Sequence, residues 1–211
     1  MQFPFIRLNQ VILIILFSDF IFTAATAITA PVFALFIVED IAAPVSAVGF
    51  AVAIFWIVKS LLQLPFARYL DKNHGEVDDF YSMVAGLGLS VFVFAAYYFA
   101  KEVWHIYLLQ ALLGVGQAFF VPPFLAIFTR HLDANSEGFE WALRSSFSTG
   151  AGMALGGAAS GILAASIGIR PLFLVHALFA FFSLVILLFL KPYILPRVPR
   201  EVSRVLTTER R

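Results

Sequence analysis

Six long apolar runs, 11–36, 46–67, 80–100, 104–129, 142–166 and 171–190, alternate with short polar connections, and of all the Asp, Glu, Lys and Arg residues only Asp19, Lys59 and Arg144 fall inside a run. A bilayer core of ~30 Å takes about 20 helical residues, so each run predicts one membrane-crossing segment. Each is expected to be helical, because lipid offers the backbone no partners other than its own. Polar punctuation agrees: Asp78 and Asp79 precede the third run and Glu140 the fifth, where acids suit the positive end of a helix. Glu140 and Arg144 stand four apart with the acid first, which predicts an ion pair at the start of the fifth helix. The expected fold is an all-α membrane protein, a six-helix bundle over 1–190 followed by a basic tail over 191–211.

Composition narrows the function classes. With 61% hydrophobic and 13% charged residues the chain is far from a water-soluble domain, which carries roughly 25% charge. Six spans leave no room for a soluble catalytic domain, and a net charge of +1 lacks the basic footprint of a nucleic-acid binder. The absence of Cys excludes disulfides and thiolate metal sites, and nothing else implies a metal or cofactor. The first run, about Val11 to Phe36, exceeds a secretory core of roughly 7–15 apolar residues and ends without a cleavage-like site, so it is expected to be retained. Arg7, Arg68, Lys72, Arg130, Lys191, Arg197, Arg200, Arg204, Arg210 and Arg211 fall on one side, against Lys101 and Arg170 on the other. By the positive-inside rule both termini are cytoplasmic and the protein lies in the cell membrane. The tail from Pro192 to Arg211, with Pro196 and Pro199, reads as a juxtamembrane segment drawn to anionic headgroups. The 25 Phe residues chiefly supply lipid-facing surface.

An internal repeat organises the six spans. Pro31-Val-Phe-Ala-Leu-Phe at the end of the first matches Pro123-Phe-Leu-Ala-Ile-Phe at the end of the fourth in Pro, Ala and Phe. At this spacing the first three spans overlie the last three, and three crossings between copies make the repeat inverted, a building principle of secondary transporters.

The buried ionisable groups carry the candidate chemistry. A charge at mid-membrane costs at least ~2.5–3.5 kcal/mol and marks a pathway or coupling site by default. Asp19 and Lys59 each lie eight residues from the same membrane face, ~12 Å deep at helical rise, and are expected to be able to pair. In the functional reading Asp19 takes a proton, a cation or a cationic solute, and Lys59 releases it or takes an anion in alternation; in the bland reading they form a permanent structural pair. Ser18, Thr23, Thr26, Thr29, Ser60, Gln63 and Gln117 mark the first, second and fourth spans as the wettest, although Ser and Thr commonly bond back to their own helix. Ser160 and His176, at similar depth near the opposite face, permit an intramembrane serine-protease dyad as an alternative. Against that stands the lack of an exposed helix start for an oxyanion hole. The bland reading of His176 is a neutral packing residue.

Several motifs together resemble the N-terminal half of a major facilitator superfamily transporter. Ala30-Pro31-Val32, a short acidic loop and Gly49 look like that family's first-helix pattern, and Ala67-Arg68-Tyr69-Leu70-Asp71-Lys72-Asn73-His74-Gly75 is similar to its signature loop. Ala67 replaces the usual Gly, Gly75 comes one residue late, and Glu76, Asp78 and Asp79 stand where basic residues are usual. Gln110 in Gln110-Ala-Leu-Leu-Gly114-Val-Gly116 occupies the position of the family's Arg, and an amide cannot change charge for a moving proton. Gly150, Gly152, Gly156, Gly157 and Gly161 resemble its Gly-rich antiporter motif without the Pro, and small residues at this spacing let helices approach closely. The resemblance implies gating through Arg68, Asp71, Lys72 and Gly75, and a cavity lined by the first and fourth helices with Thr23, Thr26, Gln63, Gln110 and Gln117. It implies a half-size secondary transporter that moves a small solute by alternating access, with a proton or cation as the candidate coupling ion. A second copy, parallel to the first, or a homologous half would complete it. The competing class is a non-transporting membrane scaffold or receptor.

Overall fold

The computed structural model describes residues 8–72 and 75–194. Arg7, Asn73, His74 and the basic tail beyond Ile194 lie outside the described residues. Among the described residues six helices are long and apolar enough to cross a membrane. They are α1 (Gln10–Thr29), α2 (Val45–Leu70), α3 (Val77–Tyr97), α4 (Val103–Arg130), α5 (Glu137–Ile167) and α6 (Ile169–Leu188).

Local chemistry sets their ends. The Asn9 side chain accepts a hydrogen bond from the Val11 N–H at 2.9 Å and caps α1, satisfying one of its orphan donors. Glu102 and His105 form a reciprocal capping box at the start of α4. The turn from α5 to α6 consists of Gly168 at φ 85°, a left-handed geometry that a side chain would strain.

The paired prolines have different local outcomes. Ala30–Val32 breaks the first run, which continues as a short turn, Phe33–Leu35, and a wide π turn, Phe36–Asp40. Val32 N–H bonds to the Thr29 carbonyl there, and the Ile28 carbonyl accepts from Ser160 Oγ at 2.6 Å. In α4, Pro122 and Pro123 sit inside an unbroken helix. Proline has no N–H to give to the carbonyl four residues back. For Pro123 that carbonyl belongs to Phe119, and Ser82 Oγ of α3 donates to it at 2.6 Å. Neighbouring helices thus supply donors to the Ile28 and Phe119 carbonyls, as lipid requires.

The 3+3 inverted repeat is visible in the packing partners. Helix α1 packs on α5 and α6, α4 packs on α2 and α3, and α3 packs on α6. Exchanging α1–α2–α3 with α4–α5–α6 maps that set onto itself. Ser148–Leu16 and Ser160–Ile28 share a separation of 132 residues, so α1 and α5 run parallel, as first and fifth crossings must. Ser18 and Ser183 exchange hydroxyl-to-carbonyl bonds of 3.0 and 2.8 Å and join α1 to α6. Two apolar clusters form the core. One, with Ile12, Ile15, Phe80, Met83 and Phe128, lies toward the Asp71 side, and the other, with Phe36, Val93, Tyr97, Ile106 and Phe173, toward the Arg170 side. Helices α2 and α5 are the least buried in the bundle.

A candidate solute cleft between the first, fourth and fifth helices

A cleft of about 200 Å³ opens between α1, α4 and α5, lined by Asp19, Phe22, Thr23, Thr26, Gln117, Phe120, Val121, Phe124, Leu125 and Arg144. Asp19 is 7% exposed, and its Oδ2 lies 3.1 Å from Arg144 Nε. The two atoms face each other without hydrogen-bond alignment, which leaves both without an aligned partner. The guanidinium also lies 4.9 Å over the Phe124 ring and 5.9 Å over Trp141. The 132-residue register of α5 on α1 sets Arg144 level with Ile12, about 10 Å short of Asp19 at helical rise. The long Arg side chain therefore reaches inward along α1, where an isolated one would extend toward the interface.

This geometry corrects two expectations, the Asp19–Lys59 and Glu140–Arg144 pairs, and gives no support to the alternative Ser160–His176 dyad. Asp19 does not pair with Lys59, because Lys59 sits on α2 in a separate shallow groove with Trp56, Ser60, Gln63 and Leu64. Its ammonium covers the rings of Trp56 at 4.7 Å and Phe55 at 5.8 Å. The Glu140–Arg144 helix-start pair does not form either: buried Glu140 accepts from the Asp133 N–H at 3.3 and 3.4 Å, leaving Arg144 to Asp19. Ser160 and His176 do not form a dyad. The Ser160 hydroxyl goes to Ile28, while His176 Nδ1 lies 2.8 Å from Thr29 Oγ and its ring stacks on Phe94.

The other expected site residues are dispersed. Thr23, Thr26 and Gln117 line the cleft; Thr26 Oγ donates to the Phe22 carbonyl at 3.0 Å, and Gln117 Nε2 to Ser90 Oγ at 3.4 Å. Gln110 is buried in α4 but is not among the cleft residues, and Gln63 belongs to the Lys59 groove. Of the glycines, Gly152 and Gly156 meet α1, where added Cβ atoms would press on Phe20, Thr23, Ala24 and Ala27. Gly157 and Gly161 face open space, and Gly150 meets only Ser145 of its own helix. In the signature loop Arg68, Asp71 and Lys72 are exposed and Gly75 is half-buried. Asp71 caps α2 through its N–H to the Ala67 carbonyl at 3.0 Å.

Two charged clasps flank the cleft and were missed in the sequence. On the Asp71 side Arg130 donates to Asp79 at 2.6 Å and lies 3.7 Å from Glu76, and His131 Nδ1 is 3.5 Å from the same Glu76 oxygen. The acids that depart from the family's basic loop thus hold the end of α4. On the other side Arg170 donates to Asp40 Oδ2 at 3.1 Å and to the Ala100 carbonyl at 2.7 Å, tying together the π turn after α1, the end of α3 and the start of α6. Arg144 was the accessible clue to the cleft itself, since it is one of only three charges inside the apolar runs.

The sequence pattern of the Major Facilitator Superfamily matches residues 15–210. Multidrug resistance protein MdtG of Rahnella sp. is 36% identical over 107 residues, and its counterpart in Proteus mirabilis is likewise 36% identical over 107 residues. Each match spans 50% of this chain and 25% of the relative.

Proposed function

The chain belongs to the major facilitator superfamily, and on that premise we propose that it forms one six-helix half of a secondary transporter that moves an amphiphilic small solute by alternating access. The Asp19–Arg144 pair at the wall of a cleft lined by aromatic and polar side chains carries this reading. Phe22, Phe120 and Phe124 offer flat apolar surface to the body of a solute, and Thr23, Thr26 and Gln117 offer hydrogen bonds. Asp19 and Arg144 meet through an Nε–Oδ2 approach of 3.1 Å and not through a bidentate pair, so a cationic solute or a proton that competes for the carboxylate has less to displace. Release of Arg144 would then loosen α5 from α1, which couples occupancy to movement of the bundle. The relatives' name supports drug-like solutes as the substrate class. The Asp71 side faces the cytoplasm in this reading, with the Arg130 clasp within and the Arg170 clasp outside. A second six-helix unit, parallel to this one, closes the cleft's open face.

Efflux of a fluorescent aromatic cation from cells making the full protein tests the proposal. Asp19→Asn combined with Arg144→Gln is expected to abolish efflux while membrane abundance stays at the wild-type level. Unchanged efflux at equal abundance would remove Asp19 and Arg144 from the pathway.

A further inference from the structure

Toward the Arg170 side a groove of about 450 Å³ runs between α3 and α4, with Phe92, Ala95, Ala96 and Phe99 on one side, Leu108 on the other and His105 of the first turn of α4 at the interface end. It shares no residue with the Asp19 cleft. Phe92, Ala95, Ala96 and Phe99 recur at helical spacing, so the two alanines leave a hollow between two phenyl rings on one face. Phe92, Phe99 and Leu108 are exposed, and on membrane-crossing helices such a face meets acyl chains.

The interface end has different chemistry. The Glu102 N–H donates to His105 Nδ1 at 3.1 Å in the capping box, so the ring carries its proton on Nε2 and offers that N–H as a donor. The Glu102 carboxylate is occupied by the Trp104 indole N–H at 2.8 Å. Lys101, exposed in the same turn, makes no ion pair among the described residues. Arg170 donates to the Ala100 and Tyr98 carbonyls at 2.7 and 3.3 Å and fixes the turn, so the groove's end is formed in advance of a ligand.

We propose that this groove seats a phospholipid from the leaflet on the Arg170 side, its acyl chain lying along α3 and α4 and its phosphate against Lys101 and the His105 N–H. Lipid tails are as apolar as Leu, so a flat apolar surface does not choose among them. A groove adds packing from two helices, and a cation beside an N–H donor at the interface adds a charge-assisted contact that the head end of a lipid satisfies. A neighbouring helix is the weaker occupant, because Phe92 to Phe99 extends only ~10 Å at helical rise, against the ~30 Å that a crossing helix must cover. The inference depends neither on the transport reading nor on which face is cytoplasmic.

The test places the full protein in vesicles of phosphatidylethanolamine and phosphatidylglycerol with a trace of phosphatidylglycerol that carries a diazirine in its acyl chain. Illumination expels N2, the carbene inserts into a neighbouring C–H bond, and mass spectrometry maps the adducts. Adducts are expected to concentrate over 92–109 and to saturate with probe, severalfold above those at the exposed face of α6 with Phe181, Phe182 and Leu188. Ala96→Trp fills the hollow and is expected to lose that excess. Lys101→Glu, at an exposed turn, is expected to lose most of it as well, and Lys101→Arg to keep it. Equal labelling of the two faces would show a common lipid annulus and overturn the inference, as would an excess that survives Lys101→Glu. An absence of adducts over 92–109 would place protein on the groove, and displacement of the probe by an aromatic cation would give the groove to the solute; either result overturns it. The adduct map is read without efflux, so this inference and the transport reading fail separately.

Discussion

Asp19 and Arg144 show what one residue's reach decides. Removing one partner of a buried pair leaves an uncompensated charge, at a cost of about 3–5 kcal/mol, whereas replacing both by neutral groups is often close to neutral. Asp19→Asn and Arg144→Gln are each expected to lower the unfolding midpoint in detergent markedly, and the double variant to recover most of the loss. Additive losses in that thermal double-mutant cycle would show that the 3.1 Å approach carries no coupling. Asp19 was legible as a candidate from its depth in an apolar run. Its partner was not, because Glu140 stands one helical turn before Arg144 and offers a local pairing that linear spacing cannot reject. The Asp133 N–H occupies Glu140 in the fold, and that contact depends on the chain reversal between α4 and α5.

At the scale of an element, α5 explains why the glycine pattern was only half readable. Arg144, Ser148, Gly152, Gly156 and Ser160 follow one another at every fourth position and all meet α1. A regular α-helix with 3.6 residues per turn drifts by about 40° over each such step. The π segment Arg144–Ala151 has wider turns and takes up part of that drift, keeping the line on its neighbour. Gly157 lies off the line and faces open space. Gly156→Ala is therefore expected to destabilise the bundle by about 1–3 kcal/mol, as overpacking against backbone does, since its new methyl meets the Ala24 carbonyl. Gly157→Ala is expected to be neutral or to stabilise by up to about 1 kcal/mol. Equal shifts in the two unfolding midpoints would refute this division of the motif. Small residues announce close packing in a sequence, but the π turn that selects among them has no periodic signature of its own.

The orientation of the whole molecule in its membrane is testable because the chain has no cysteine, so a single introduced thiol is a unique label. Ala134→Cys, exposed between α4 and α5, is expected to react with an impermeant maleimide only after the cells are opened. Lys101→Cys, exposed between α3 and α4, is expected to react in intact cells. The opposite pattern would invert the assignment of the cytoplasmic face. Hydropathy and charge placement determined six helices, and the match at Pro31 and Pro123 their inverted pairing, since lipid leaves a backbone one way to satisfy its polar groups and three crossings reverse a repeat's direction. Which charges meet was decided only by the tertiary structure. Two cations and one anion in the apolar runs allow more than one pairing, and the parallel register of α5 on α1 brings Arg144 to Asp19 while α2 turns Lys59 away from both.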